Sequence, residues 1–119
     1  MTTLKTRTDF LRAAAGRKAS TPGLMLQTCP TPQPGGGLSA IRVGYTASRK
    51  VGNAVARNRA KRRLRALARE ILVRDGRGGH DYVLVARSET ILRPFAQLRS
   101  DLETAIAKIH AQRPRREAR

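Results

Sequence analysis

Hydrophobic and polar positions recur with different periods along the chain, and each change of period marks an element. Phe10, Leu11, Ala13, Ala14 and Ala15 follow a Thr8-Asp9 pair and precede Gly16, which predicts a short capped helix. Residues 23–28 (Gly-Leu-Met-Leu-Gln-Thr) read as a strand. Residues 30–37 hold three Pro and three Gly and read as a loop. Residues 41–47 alternate, with Val43, Tyr45 and Ala47 on one face and Arg42, Gly44 and Thr46 on the other, as in a second strand. A long helix is expected over residues 53–74, then a turn over 75–79. Residues 81–86 form a nearly continuous apolar run of the kind buried inside a sheet. A last helix over 94–111 opens on Pro94 and carries the stripe Leu98, Leu102, Ala105, Ile106 and Ile109. No internal repeat interrupts this order, which predicts one α/β or α+β sandwich domain over residues 1–112.

The central helix is unusual on a helical wheel. Ala60, Leu64, Leu67, Ala68 and Ile71 share one narrow arc that must pack on the sheet. Arg59, Lys61, Arg62, Arg63, Arg65 and Arg69 spread over most of the remainder, and Arg57 sits near the border. With no acid among them, these residues gain no i,i+4 ion pairs and repel one another. Phosphates would offset that repulsion. A solvated face normally mixes signs, and a membrane-surface or calmodulin-target helix needs an open apolar face. Ahead of the helix, Ser48-Arg49-Lys50-Val51-Gly52-Asn53 sets two cations and a glycine before an Asn cap. This segment serves as a strand-to-helix turn, and its amides also sit where a helix N-terminus attracts anions.

Charge extends the same picture. The chain has 119 residues, 25 Lys plus Arg and 8 Asp plus Glu, for a net charge of +17. That excess fits a polyanionic partner. No acid lies between Asp9 and Glu70, and after Glu70 acids and bases intermix. Residues 113–119 are basic, lack apolar periodicity and read as a disordered tail. Aromatics are 3% and Trp is absent, so the core must be aliphatic. Cys29 is the sole cysteine, which excludes an intrachain disulfide. No apolar run approaches the roughly 20 residues of a membrane helix. Residues 1–10 show no apolar signal segment, so a cytoplasmic location is expected. No paired carboxylates, metal-ligand spacing or Ser/His/Asp or Cys/His set appears. His80 and His110 read as surface histidines, and Asp81 as a turn or capping residue.

The run Ser48-Arg49-Lys50-Val51-Gly52-Asn53-Ala54-Val55-Ala56-Arg57-Asn58-Arg59-Ala60-Lys61-Arg62-Arg63-Leu64-Arg65 closely resembles the signature of the bacterial ribonuclease P protein subunit. Its core is Arg57-Asn58-Arg59, followed by Lys61-Arg62 and Arg65. The early Phe10 helix, Arg42-Val43-Gly44, the strand at 81–87 and the last helix agree in order, over about residues 4–110. The resemblance implies an α/β (α+β) sandwich, ribonuclease P protein-like, of order α-β-β-(β)-α-β-α. It also implies a left-handed βαβ crossover, against the usual right-handed rule.

The implied function is that of a protein joined one-to-one to a large catalytic RNA, the complex removing the 5′ leader of precursor tRNA. In that picture the RNA holds the active site and the Mg²⁺ ions, and the protein alone binds no cofactor and touches no membrane. The protein would bind the leader, help metal binding at low salt and support the active RNA conformation. Carried over residue by residue, Arg49, Lys50, Asn53, Arg57, Asn58, Arg59, Lys61, Arg62 and Arg65 would meet the catalytic RNA. Phe10, Met25, Gln27, Thr46 and Ser48 would line a leader groove, with Leu24 and Leu26 turned to the core. Phe10 could stack on a base or be a core residue of its helix. Ala14 and Gln27 stand where groove aromatics are common, so stacking should be weaker and hydrogen bonds and Arg planes should carry more. Tyr45 alternates with Thr46 and is expected buried.

Three other readings stand beside this one. A structural RNA- or DNA-binding protein of ribosomal or nucleoid type would share the composition, though not the ordered run. A helix-turn-helix would need a second short helix beside the central one, and a self-sufficient nuclease would need an acid/base pair.

Overall fold

The computed structural model describes residues 1–32 and 40–111. Most of the loop expected over 30–37, and all of the tail expected over 113–119, lie outside the described residues. The elements run β1 (Thr2–Thr3), α1 (Arg7–Ala14), β2 (Arg17–Ser20), β3 (Leu24–Pro30), β4 (Ile41–Thr46), α2 (Ala54–Asp75), β5 (His80–Ala86) and α3 (Phe95–Ala111). Single 3₁₀ turns at Arg49–Val51 and Ser88–Thr90 precede α2 and α3. The sheet order is β1-β4-β5-β3-β2. β4 runs parallel to both β1 and β5, and β3 runs antiparallel to both β5 and β2. α2 is therefore the crossover between two parallel neighbours.

Alternation assigns the two faces. Leu24, Leu26, Val43, Tyr82, Leu84 and Ala86 meet Ala60, Leu64, Leu67, Ala68, Ile71 and Leu72 of α2 and the full expected stripe of α3. Burying one such Leu contributes about 1.5–3 kcal/mol, so this face carries most of the stability. On the opposite face Leu4, Ala13, Cys29 and Val83 form a smaller cluster under α1. Gly44 belongs to that second face. A Cβ there would sit 2.6 Å from two carbons of the Phe10 ring, so glycine is what lets α1 lie close to the sheet.

Several expectations need correction. The cap of α1 is Thr6, not Thr8-Asp9. Its Oγ1 accepts from Asp9 N at 3.3 Å and donates to Asp9 Oδ2 at 2.8 Å, so Asp9 sits inside the first turn. β3 runs to Pro30 because β5 starts at His80 and pairs with it there. Edge strand β1 was not expected, and β2, the bracketed third strand of the implied order, had no residues assigned to it. β2 is Arg-Lys-Ala-Ser with only Ala19 buried, and an edge strand with one covered position has no clear period. Asp81 neither turns nor caps. Its side chain is 0% exposed and accepts from Arg42 Nε at 2.8 Å, Arg42 Nη2 at 2.7 Å and Thr31 Oγ1 at 2.8 Å. Arg42 Nη2 also reaches Asp9 at 3.3 Å, which fastens α1 to the sheet. His110 is half-buried rather than a free surface group, with Nε2 2.9 Å from the Tyr82 hydroxyl.

Candidate nucleic-acid interface

The basic face is built by α2 and the turn before it. Ser48 Oγ accepts from Lys50 N at 3.3 Å and closes the 3₁₀ turn. Gly52 follows at φ 144°, a left-handed conformation that favours glycine. Asn53 then caps α2, its Oδ1 accepting from Ala56 N at 2.9 Å. Arg49, Lys50, Asn53, Asn58, Arg59 and Arg62 are exposed along this stretch, and Arg57, Lys61 and Arg65 are half-buried. Arg57 spends one N–H on Gly52 O at 3.1 Å. Arg63 is committed to the fold, with Nη1 donating to Thr90 O at 2.6 Å and Ile91 O at 2.5 Å.

The acids sharpen this face by lying elsewhere. Asp9, Glu70, Asp75, Asp81, Asp101 and Glu103 pair with Arg12, Arg42, Arg74, Arg93 and Arg99. Among the described residues none of them pairs with Arg49, Lys50, Arg57, Arg59, Lys61, Arg62 or Arg65. These seven cations thus meet no acid among the described residues, in a region where Arg57 and Arg63 already serve as hydrogen-bond donors to backbone.

On the other face a depression of about 420 Å³ opens between α1 and the sheet. Arg7, Phe10, Leu11 and Ala14 line it from α1, Gln27 from β3, Tyr45 and Thr46 from β4, and Val83 and Val85 from β5. Phe10 is half-buried, its ring packed against the small cluster over Gly44. It is therefore part core and part groove wall. Gln27 is 8% exposed and forms the polar spot on an otherwise apolar floor. Below it, burial and then Asp81 push the Cys29 thiol up to about 11, so it stays protonated and is no nucleophile near neutral pH. Among the described residues no three His, Cys, Asp or Glu side chains come together to hold a metal ion. Six of the acids are already bound to arginines.

The Ribonuclease P family model matches residues 1–110. The chain belongs to the ribonuclease P protein family. The ribonuclease P protein component of Ruegeria pomeroyi is 51% identical over 112 residues, covering 93% of this chain and 88% of the relative. That of Paramagnetospirillum magneticum is 45% identical over 109 residues, covering 91% and 82%. The solved Staphylococcus aureus RNase P protein superposes with TM-score 0.72 at 26% identity over 92% of this chain and 97% of its own. The Thermotoga maritima protein, at TM-score 0.73 and 24% identity over 92% and 98%, shares the fold. Membership in the ribonuclease P family makes the chain a protein part of an endoribonuclease complex. Among the described residues no helix is long and apolar enough to cross a membrane.

Of the groove residues expected for a ribonuclease P protein, Phe10, Gln27 and Thr46 line one depression. Met25 lies beside it, opposite Val85 on the same face, and Ser48 sits in the turn before α2. Arg7, Leu11, Tyr45, Val83 and Val85 were not among the expected groove residues. Arg7, Phe10, Leu11 and Ala14 follow i, i+3, i+4, i+7, so the helical period around Phe10 could have found the first two. Val83 and Val85 alternate with buried Tyr82 and Leu84, and a continuous apolar run hides that alternation. Tyr45, expected buried, is half-buried, with the Arg65 guanidinium carbon 5.2 Å from its ring centroid.

Proposed function

We propose that this ribonuclease P protein binds the catalytic RNA through α2 and its leading turn, and the 5′ leader of precursor tRNA in the groove between α1 and the sheet. The complex then removes the leader to give the mature 5′ end of the tRNA. The observation that carries the reading is the charge of Arg49, Lys50, Arg59, Lys61 and Arg62, which meets none of the six acids that pair with arginines elsewhere in the described fold. Backbone phosphates neutralise such a face without base specificity. A single strand fits the groove in kind, with an aromatic wall at Phe10, an apolar floor and one cation, Arg7, at the rim. Among the described residues no acid/base pair is set up for hydrolysis, and we assign bond cleavage and its Mg²⁺ to the RNA and substrate. We place the complex in the cytoplasm, one protein to each catalytic RNA.

Reconstitution tests the reading. The chain alone should leave precursor tRNA intact. Added to a ribonuclease P RNA at low Mg²⁺, it should restore 5′ cleavage. Cleavage by the protein alone, or no restoration with RNA, overturns the proposal.

A further inference from the structure

A second depression lies at the edge of the sheet and shares Tyr45 with the leader groove. It measures about 330 Å³ and opens between β1, β4 and α2. Buried Val43 and half-buried Tyr45 form its floor, and Arg65, Arg69 and exposed Val73 form its α2 wall. Its size sits at the low end of the roughly 300–1,000 Å³ of small-ligand sites.

Three features set it apart from an ordinary surface dent. The Arg65 guanidinium carbon lies 5.2 Å from the Tyr45 ring centroid, so the cation is already held over an aromatic ring. Neither Arg65 nor Arg69 is in an ion pair or hydrogen bond among the described residues, although other arginines of the fold are. Arg65 and Arg69, one helical turn apart on α2, both line this one hollow.

We propose that this depression is a one-nucleotide site for an unstacked nucleotide of the partner RNA, its base laid on the Arg65 plane and its phosphate taken by Arg69. A base stacks on a guanidinium plane as it does on an aromatic ring. A phosphate suits the fork of a second arginine. An acidic peptide would use the two charges and leave the Tyr45–Arg65 stack idle. Tyr45 acts here as a positioning residue that holds the Arg65 plane flat. The site rests on the reading that α2 binds the RNA, and it extends that face to a side where Arg69 had no assigned part.

The test uses the full chain with ribonuclease P RNA. Ribose 2′-hydroxyl acylation is mapped along the RNA in complexes with wild type, Arg65→Lys, Arg69→Ala and Tyr45→Leu, each checked for folding by thermal unfolding. One unpaired nucleotide should be protected by wild type and exposed by all three variants, with the remaining footprint unchanged. Arg65→Lys keeps the charge, so it should lower affinity roughly 5- to 150-fold, the contribution of one stacked base, at an unchanged salt slope. Arg69→Ala, at an exposed position, should also flatten the slope. RNA binding with no nucleotide that depends on Arg65 and Arg69 overturns the site alone. Failure of the wild-type chain to bind the RNA overturns the parent reading and the site with it. Saturable binding of free AMP or UMP that Arg69→Ala abolishes, without a protected RNA nucleotide, replaces RNA by a free nucleotide and overturns the assignment.

Discussion

Arg42→Met should be the costliest single change on the α1 side of the sheet. Arg42 gives Asp81 two hydrogen bonds, at 2.8 and 2.7 Å, and its remaining reach to Asp9 is 3.3 Å. The two partners differ in exposure, 29% for the Arg42 side chain and 0% for Asp81. Removing the guanidinium leaves a fully buried carboxylate with only the Thr31 hydroxyl at 2.8 Å. Removing the carboxylate leaves a cation that water and Asp9 still reach. Orphaning a buried charge costs about 3–5 kcal/mol, and leaving a partly solvated donor unmatched costs about 1–3 kcal/mol. At roughly 4 °C per kcal/mol for a domain of this size, Arg42→Met should lower Tm by roughly 12–20 °C and Asp81→Asn by roughly 4–12 °C. The double variant Arg42→Met/Asp81→Leu leaves no buried charge and should recover much of the loss. Thermal unfolding followed by circular dichroism, with urea midpoints at constant m, measures all three. Equal losses in the two single variants, or a double variant as unstable as both losses combined, would refute the asymmetry argument. α2 packs on the opposite face, so RNA affinity below the unfolding transition should be retained.

Four further outcomes are expected. Arg59→Ala and Arg62→Ala should each reduce the steepness of the log–log salt dependence of RNA binding by about 0.7–0.9. Arg63→Ala should lower Tm and leave that slope alone, because its guanidinium serves the Thr90 and Ile91 carbonyls. Gly44→Ala drives a methyl against the Phe10 ring, which should cost about 1–3 kcal/mol. It and Phe10→Ala should both weaken the preference for precursor over mature tRNA, measured by competition binding, with RNA assembly intact. Burial first, then Arg77 and Arg17, hold the His110 pKa below its ordinary 6.5. The unfolded chain then binds that proton more readily, so stability is full above pH 6.5 and falls as pH drops through and below it. His110→Asn should shrink the Tm loss between about pH 7 and pH 5.5; an unchanged pH dependence would contradict the role given to His110.

Local pattern made much of this molecule legible. The buried arc of α2 is the one its 3.6-residue period singles out, with Leu72 added, and the α3 stripe is buried throughout. The Asn53 cap lies where the Gly-Asn pair before a helix calls for it. Thr6 was harder to find because Thr8 and Asp9 are equally good caps in isolation. The choice went to the residue whose Asp sits three positions later, where Arg42 can hold it from the sheet. Edge strands were illegible for a related reason. β1 and β2 owe their extended form to pairing with β4 and β3, and their own residues carry almost no period.

By itself the amino-acid sequence determined the three helices, the strands β3, β4 and β5, the buried face of α2 and the excess of cations on its remainder. These are properties of neighbours three or four positions apart, or two apart in a strand, and local sterics and hydrophobic period decide them. Only the tertiary structure decided which cations stay available. Asp81 found Arg42 across 39 positions, and Arg63 found the carbonyls of Thr90 and Ile91 across 27 and 28. Arg65 settled over Tyr45 beside an unpaired Arg69. Charge compensation depends on distance in space and on burial. It follows from how the sheet brings remote residues together, so the order of residues along the chain leaves it open.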